Sequence, residues 1–210
     1  MQKDSEIESH LAHLDEIRQI MNRSTRFLSL SGLSGISAGL TALAGGGVAY
    51  MYLRYHAYEV GLALDPSQIL RVHWPFLIAL ACGVFVLAFA LAVYFSSKLA
   101  SRKLASAWSP ALQRLLIALA QPLGVGALFC TLLYAQGQVV LLVPATLIFY
   151  GLALLNAGKY TLNEIQALGL IQCVLGLLAT AFPLYGFLIW LVGFGLLHIA
   201  YGAWMYYRYE

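Results

Sequence analysis

In a chain of 210 residues, 61% are hydrophobic and only 10% are charged, with a mean hydropathy of +0.78, too little polar surface to cover a soluble core. The bilayer is the solvent that such a composition fits. A formal charge of +3 is what orientation beside apolar spans requires, so nucleic-acid binding has no support, and Cys82, Cys130 and Cys173, each inside an apolar segment, suit packing residues better than disulfides.

Residues 4–26 read as an amphipathic helix. Ser5 and Glu8 have capping-box spacing, and Ile7, Leu11, Leu14, Ile17 and Met21 recur at three- and four-residue intervals. Acidic Asp4, Glu6, Glu8, Asp15 and Glu16 lie towards its start, whereas Arg18, Arg23 and Arg26 lie next to the first apolar segment. Two readings fit: an interfacial helix whose basic end meets anionic lipid, or a docking helix for a cytoplasmic protein partner. The short apolar stripe favours the first. His10 and His13 stand three residues apart, but zinc needs three or four ligands in defined geometry, so no metal site is expected there. The opening Lys3, Asp4, Glu6 and Glu8 do not resemble a signal peptide, and the first span is expected to direct insertion itself.

Four stretches, 27–53, 72–97, 115–158 and 165–207, carry no charged residue. A transmembrane helix needs about 20 apolar residues. The first two stretches each predict one span, the second beginning at Trp74-Pro75, where proline suits a first helical turn. The third is too long for one crossing at ~1.5 Å per residue and must turn back, with its most polar break at Ala135-Gln136-Gly137-Gln138. The fourth divides at Phe182-Pro183-Leu184-Tyr185-Gly186, since proline and glycine end helices. The expectation is an all-α polytopic membrane protein: a cytoplasmic amphipathic helix at 1–26, then a six-helix bundle with spans near 27–53, 74–97, 111–134, 139–156, 162–181 and 184–207. A loop over Arg54–His73 is the one sizeable connection on the far side, with Asp65-Pro66-Ser67 as a turn signal.

Basic residues orient this arrangement. With a cytoplasmic N-terminus, Lys3, Arg18, Arg23, Arg26, Lys98, Arg102, Lys103, Arg114, Lys159 and Arg208 fall inside and only Arg54 and Arg71 outside, as the positive-inside rule requires. Tyr50, Tyr52, Tyr55 and Trp74 gather at the outer boundary, and Trp108, Tyr160, Trp204, Tyr206 and Tyr207 at the inner one, as interfacial belts do. Both termini are therefore expected in the cytoplasm, in a bacterial inner membrane with lipid as the main surrounding.

Inside the spans, Ser31, Gly35 and Gly39 recur at four-residue spacing, the small-xxx-small pattern of close helix contacts. Such a face serves a homodimer as readily as an intrachain contact. Counted from the inner boundary at ~1.5 Å per residue, Gln121, Gln172 and His198 each lie ~15 Å deep, and Ser37 and Thr146 fall near the same level. This midplane polar layer has two readings: interhelical hydrogen bonding, with Gln172 to His198 as the natural pair, or a solute site beside an interrupted helix. Gln121-Pro122 should kink span three and free a backbone carbonyl. No Asp, Glu, Lys or Arg lies within a span core, which argues against a proton-coupled pump and an intramembrane carboxylate enzyme. No cofactor is expected: His198 is the single deep histidine, and a bis-His haem needs two.

Tyr150-Gly151-Leu152 near the end of span four recurs as Tyr201-Gly202-Ala203 near the end of span six. The run Gly169 to Gly176, then Pro183, then Gly193, Gly195 and Gly202 resembles the paired-helix repeat of bacterial six-span membrane proteins of the acid-resistance HdeD type, over roughly the last 90 residues. The segment Arg23 to Gly32 and the ending Gly193 to Glu210 look like uncharacterised bacterial inner-membrane proteins. That resemblance implies location, with no residue-level role. The expected function is a non-catalytic accessory, regulatory or stress-related membrane component, and the alternative is a small transporter or channel for a neutral or weakly polar solute.

Overall fold

A computed structural model describes residues 31–59, 66–102 and 109–209; the amphipathic helix expected over residues 4–26, with His10 and His13, lies outside the described residues. Helix α1 spans Gly32–Glu59, α2 Pro66–Arg102, α3 Pro110–Ala135, α4 Leu142–Ala157 and α5 Asn163–Ala181. The last rod is composite: α6 at Gly186–Trp190, a π-helical turn at Leu191–Leu196, and α7 at Leu197–Tyr209. Six rods are long and apolar enough to cross a bilayer, from Gly32–His56 to Pro183–Arg208, a helical fold that fits a multi-pass membrane protein.

The breaks follow local chemistry. The long third apolar stretch turns at Gln136 and Gly137, where Gly137 takes φ 76°, a backbone angle open to glycine at no steric cost. Before it, the Ser109 side chain caps α3 by accepting from the Leu112 N–H at 3.2 Å, with Pro110 as first helical residue. Pro183 opens the short 3₁₀ turn Pro183–Tyr185 that separates α5 from α6.

Two expectations at the α1–α2 connection require correction. The loop expected over Arg54–His73 is largely helix, because α1 continues to Glu59 and α2 already begins at Pro66. Helical hydrogen bonds are internal and do not stop where the apolar side chains do. Pro75 consequently lies inside α2 and not in its first turn; Pro66 takes that first position, where a missing N–H costs nothing.

The most buried rod is Val139–Tyr160. Helix α4 packs along α5 on one side and against α3 on the other, and α6 lies across α4 and α5. Leu154, Ile165 and Leu168 form a buried cluster with Leu119 of α3 and Leu197 of α7 packed against it. The first helix then docks on the outside of this group, along the π turn and α7, and α2 docks on α1. Within its most apolar window α2 has no fully buried residue, and beyond its contact with α1 it meets the rest of the bundle chiefly at one end. There Trp74 stacks on Tyr134 of α3 with centroids 5.5 Å apart and packs on Leu133, Val139, Leu142 and Ala145.

Candidate functional site

The polar centre of the bundle is built on a register shift in the last rod. In an α-helix the Leu197 N–H would bond the Gly193 carbonyl; in the π turn it reaches back to Val192 instead. The Gly193 carbonyl is left to side chains, and two supply it. Gln172 Nε2 of α5 donates to it at 2.7 Å, and His198 Nδ1 donates at 2.9 Å. Because a carbonyl oxygen only accepts, the proton on His198 is placed at Nδ1. In the neutral ring Nε2 is then an acceptor, and the Tyr150 hydroxyl stands 2.8 Å from it. One chain of contacts, Tyr150–His198–Gly193–Gln172, thus joins α4, the last rod and α5.

This node is buried and tightly walled. Gln172 is wholly buried, as is nearly all of His198, and Phe194 lies between the rings of Tyr150 and Trp190, 4.9 Å from each. A Cβ placed on Gly193 would come within 2.7 Å of Gln172 Oε1 and 2.8 Å of Leu147 Cδ2, so only glycine lets the amide approach. Among the described residues Gln172 Oε1 has no hydrogen-bond partner. Among the described residues, shallow depressions lie on the surface elsewhere, one along Phe89, Val93, Tyr94 and Lys98 of α2 and one at Tyr134–Gly137.

Of the five residues expected at the midplane, the structure brings together Gln172 and His198, through a shared carbonyl and not through direct contact. Gln121 and Thr146 are exposed on the outer surface, and the Thr146 hydroxyl donates to the Val143 carbonyl of its own helix at 2.7 Å. Ser37 is half-buried and donates to the Ser34 carbonyl at 3.0 Å, with Thr41 doing likewise to Ser37 at 2.8 Å. Sequence reasoning reads Tyr150 only as part of a short repeat and misses its hydroxyl as the third member. Among the described residues no group of three or more His, Cys, Asp or Glu gathers.

Small residues form the seam beside this node. A Cβ on Gly35 would meet Gly202 Cα at 2.9 Å, and one on Gly39 would meet the Gly195 carbonyl at 2.6 Å, so α1 and the last rod touch backbone to backbone. Ser31 is buried at the end of the same face. The repeated Tyr-Gly pair marks two such seams. Gly202 serves the one with α1, and Gly151 meets Gly169 across the α4–α5 contact, with a Cβ there 2.6 Å from the Gly169 carbonyl.

The backbone carbonyl expected to be freed by Pro122 in span three has a definite partner. Pro122 has no N–H to give Ala118, four residues earlier, and Asn156 Nδ2 of α4 donates to that carbonyl at 3.0 Å. No family model, curated protein or solved structure matches the chain.

Proposed function

We propose that this chain is a non-catalytic integral protein of a bacterial inner membrane, with both termini cytoplasmic, that acts as an accessory, regulatory or stress-related component through a protein partner of residues 4–26. The observation that carries this reading is the use of the deep polar groups: Gln172, His198 and Tyr150 are spent on one backbone carbonyl and on each other, as interhelical fasteners are. The acidic, amphipathic composition of residues 4–26 makes that segment the part of the chain suited to recognition. Deleting residues 1–22 is expected to abolish crosslinked partner recovery while the bundle keeps its thermal transition; unchanged recovery counts against the proposal. Reporter fusions at both termini test the orientation, and a signal from the far side at either end overturns it.

A second reading, a carrier or channel for a neutral or weakly polar solute, draws on the π turn of the last rod, since interrupted helices mark transport sites. Solute flux into liposomes holding the pure protein, lost on Gln172→Leu with the fold intact, would favour it over the first.

A further inference from the structure

Where α1 and α2 approach each other beside residues 60–65, two imidazoles meet. The ring centroids of His56 and His73 are 4.4 Å apart with planes 23° from parallel, and both residues are half-buried. The Tyr52 hydroxyl stands 3.0 Å from His73 Nδ1, and Phe76 stacks on the Tyr52 ring at 3.9 Å, which fixes that hydroxyl from behind. Two apolar side chains would pack these helix ends equally well, so the pairing of imidazoles calls for a chemical account.

Two imidazoles bound to adjacent positions of one ion have their ligating nitrogens about 3 Å apart, as metal–nitrogen distances of ~2.0–2.1 Å dictate. Each ligating nitrogen lies off its ring centroid, so two imidazoles at adjacent positions have centroids about 4–5 Å apart, and those of His56 and His73 are 4.4 Å apart. A ligating imidazole is ordinarily held through its other nitrogen by an outer hydrogen bond. Tyr52 occupies that position at Nδ1 of His73 and leaves Nε2 to ligate. Imidazole nitrogens select first-row transition ions over magnesium or calcium.

We propose that His56 and His73 form a two-histidine site for a divalent transition-metal ion of the kind that binds imidazole pairs with water in the remaining positions, such as Cu²⁺ or Ni²⁺. Among the described residues no third His, Cys, Asp or Glu joins the pair, so the ion is exchangeable and clips α1 to α2 at one end without being needed for the fold.

The test is a Cu²⁺ titration of the full chain in detergent after chelator treatment, followed by electron paramagnetic resonance. One ion per chain, coupled to two imidazole nitrogens, is expected. His56→Gln and His73→Gln should each weaken binding at least about tenfold, as loss of one of so few ligands must, and the double variant His10→Gln/His13→Gln should bind as the original does. Metal-free thermal transitions confirm that each variant keeps its fold. A spectrum of the unaltered chain with fewer than two coupled imidazoles overturns the proposal without recourse to any variant. So does binding that survives both loop-proximal substitutions, or that disappears only with His10 and His13.

Discussion

Asn156 donates its side-chain amide to the carbonyl of Ala118, 3.0 Å away on the neighbouring helix, the carbonyl that Pro122 leaves without a helical donor. Its own Oδ1 accepts from Lys159 Nζ at 3.3 Å, so the amide is oriented from the water side. In hydrocarbon an unmet carbonyl is costly, while interhelical hydrogen bonds are individually worth about 0.6 kcal/mol and at most ~1.7. Asn156→Leu is expected to destabilise the bundle within that range. In a Pro122→Ala background the helix regains its own N–H at position 122, and the cost of Asn156→Leu should shrink. Unfolding in detergent across the four proteins of this cycle measures the coupling; equal costs in both backgrounds would show that the carbonyl is met in some other way.

The Gly193 carbonyl has two side-chain donors and behaves differently when they are removed singly or together. Gln172→Leu leaves the His198 bond in place, and His198→Phe leaves that of Gln172; each should cost about 0.5–1.5 kcal/mol. With both gone the acceptor is buried and bare, so the double variant should lose more than the sum by roughly 1 kcal/mol. Strict additivity in chemical denaturation would mean that the carbonyl is not shared.

Substituting Gly202 tests the backbone seam. A methyl group there would lie 2.5 Å from the Ile36 nitrogen and 2.6 Å from the Gly32 carbonyl oxygen, and neither backbone wall can turn aside. Gly202→Ala should therefore cost about 1–3 kcal/mol, as overpacking does. Gly47 has nothing within 4 Å of its would-be Cβ, and Gly47→Ala should be neutral or stabilising by up to about 1 kcal/mol, since glycine is a poor helix former. Thermal melting of the two variants side by side separates crowding from propensity.

Much of the architecture was legible because it depends on quantities a sequence carries directly. Stretch lengths without charge, with Gln136 to Gln138 and Phe182 to Gly186 as breaks, are enough to divide the chain into six rods. Depth is likewise a matter of counting, and Gln172 and His198 do meet at one level. Rotation about each helix axis is not: every residue turns by about 100°, and which face is inward depends on neighbours that the count does not identify. Gln121 and Thr146 illustrate this, since they face outward at the counted depth. The π turn was unreadable for a related reason, being a change of backbone register whose side chains are ordinary. Small residues at Gly35 and Gly39 revealed a contact face without revealing that its partner was Gly195 and Gly202.

That partner also lies far along the chain. Helix α1 finds its backbone seam only on the rod that carries Gly195 and Gly202, so Gly32, Gly35 and Gly39 stay bare until the ribosome has delivered that rod. The intervening helices α3 to α5 can close on one another early through short connections, whereas α1 and the rod ending at Tyr209 must meet across all the helices between them, a slow kind of contact to form. Maturation of this bundle is therefore a closing event, and a chain cut short before Leu191 would leave the first two helices with no fixed place against the rest.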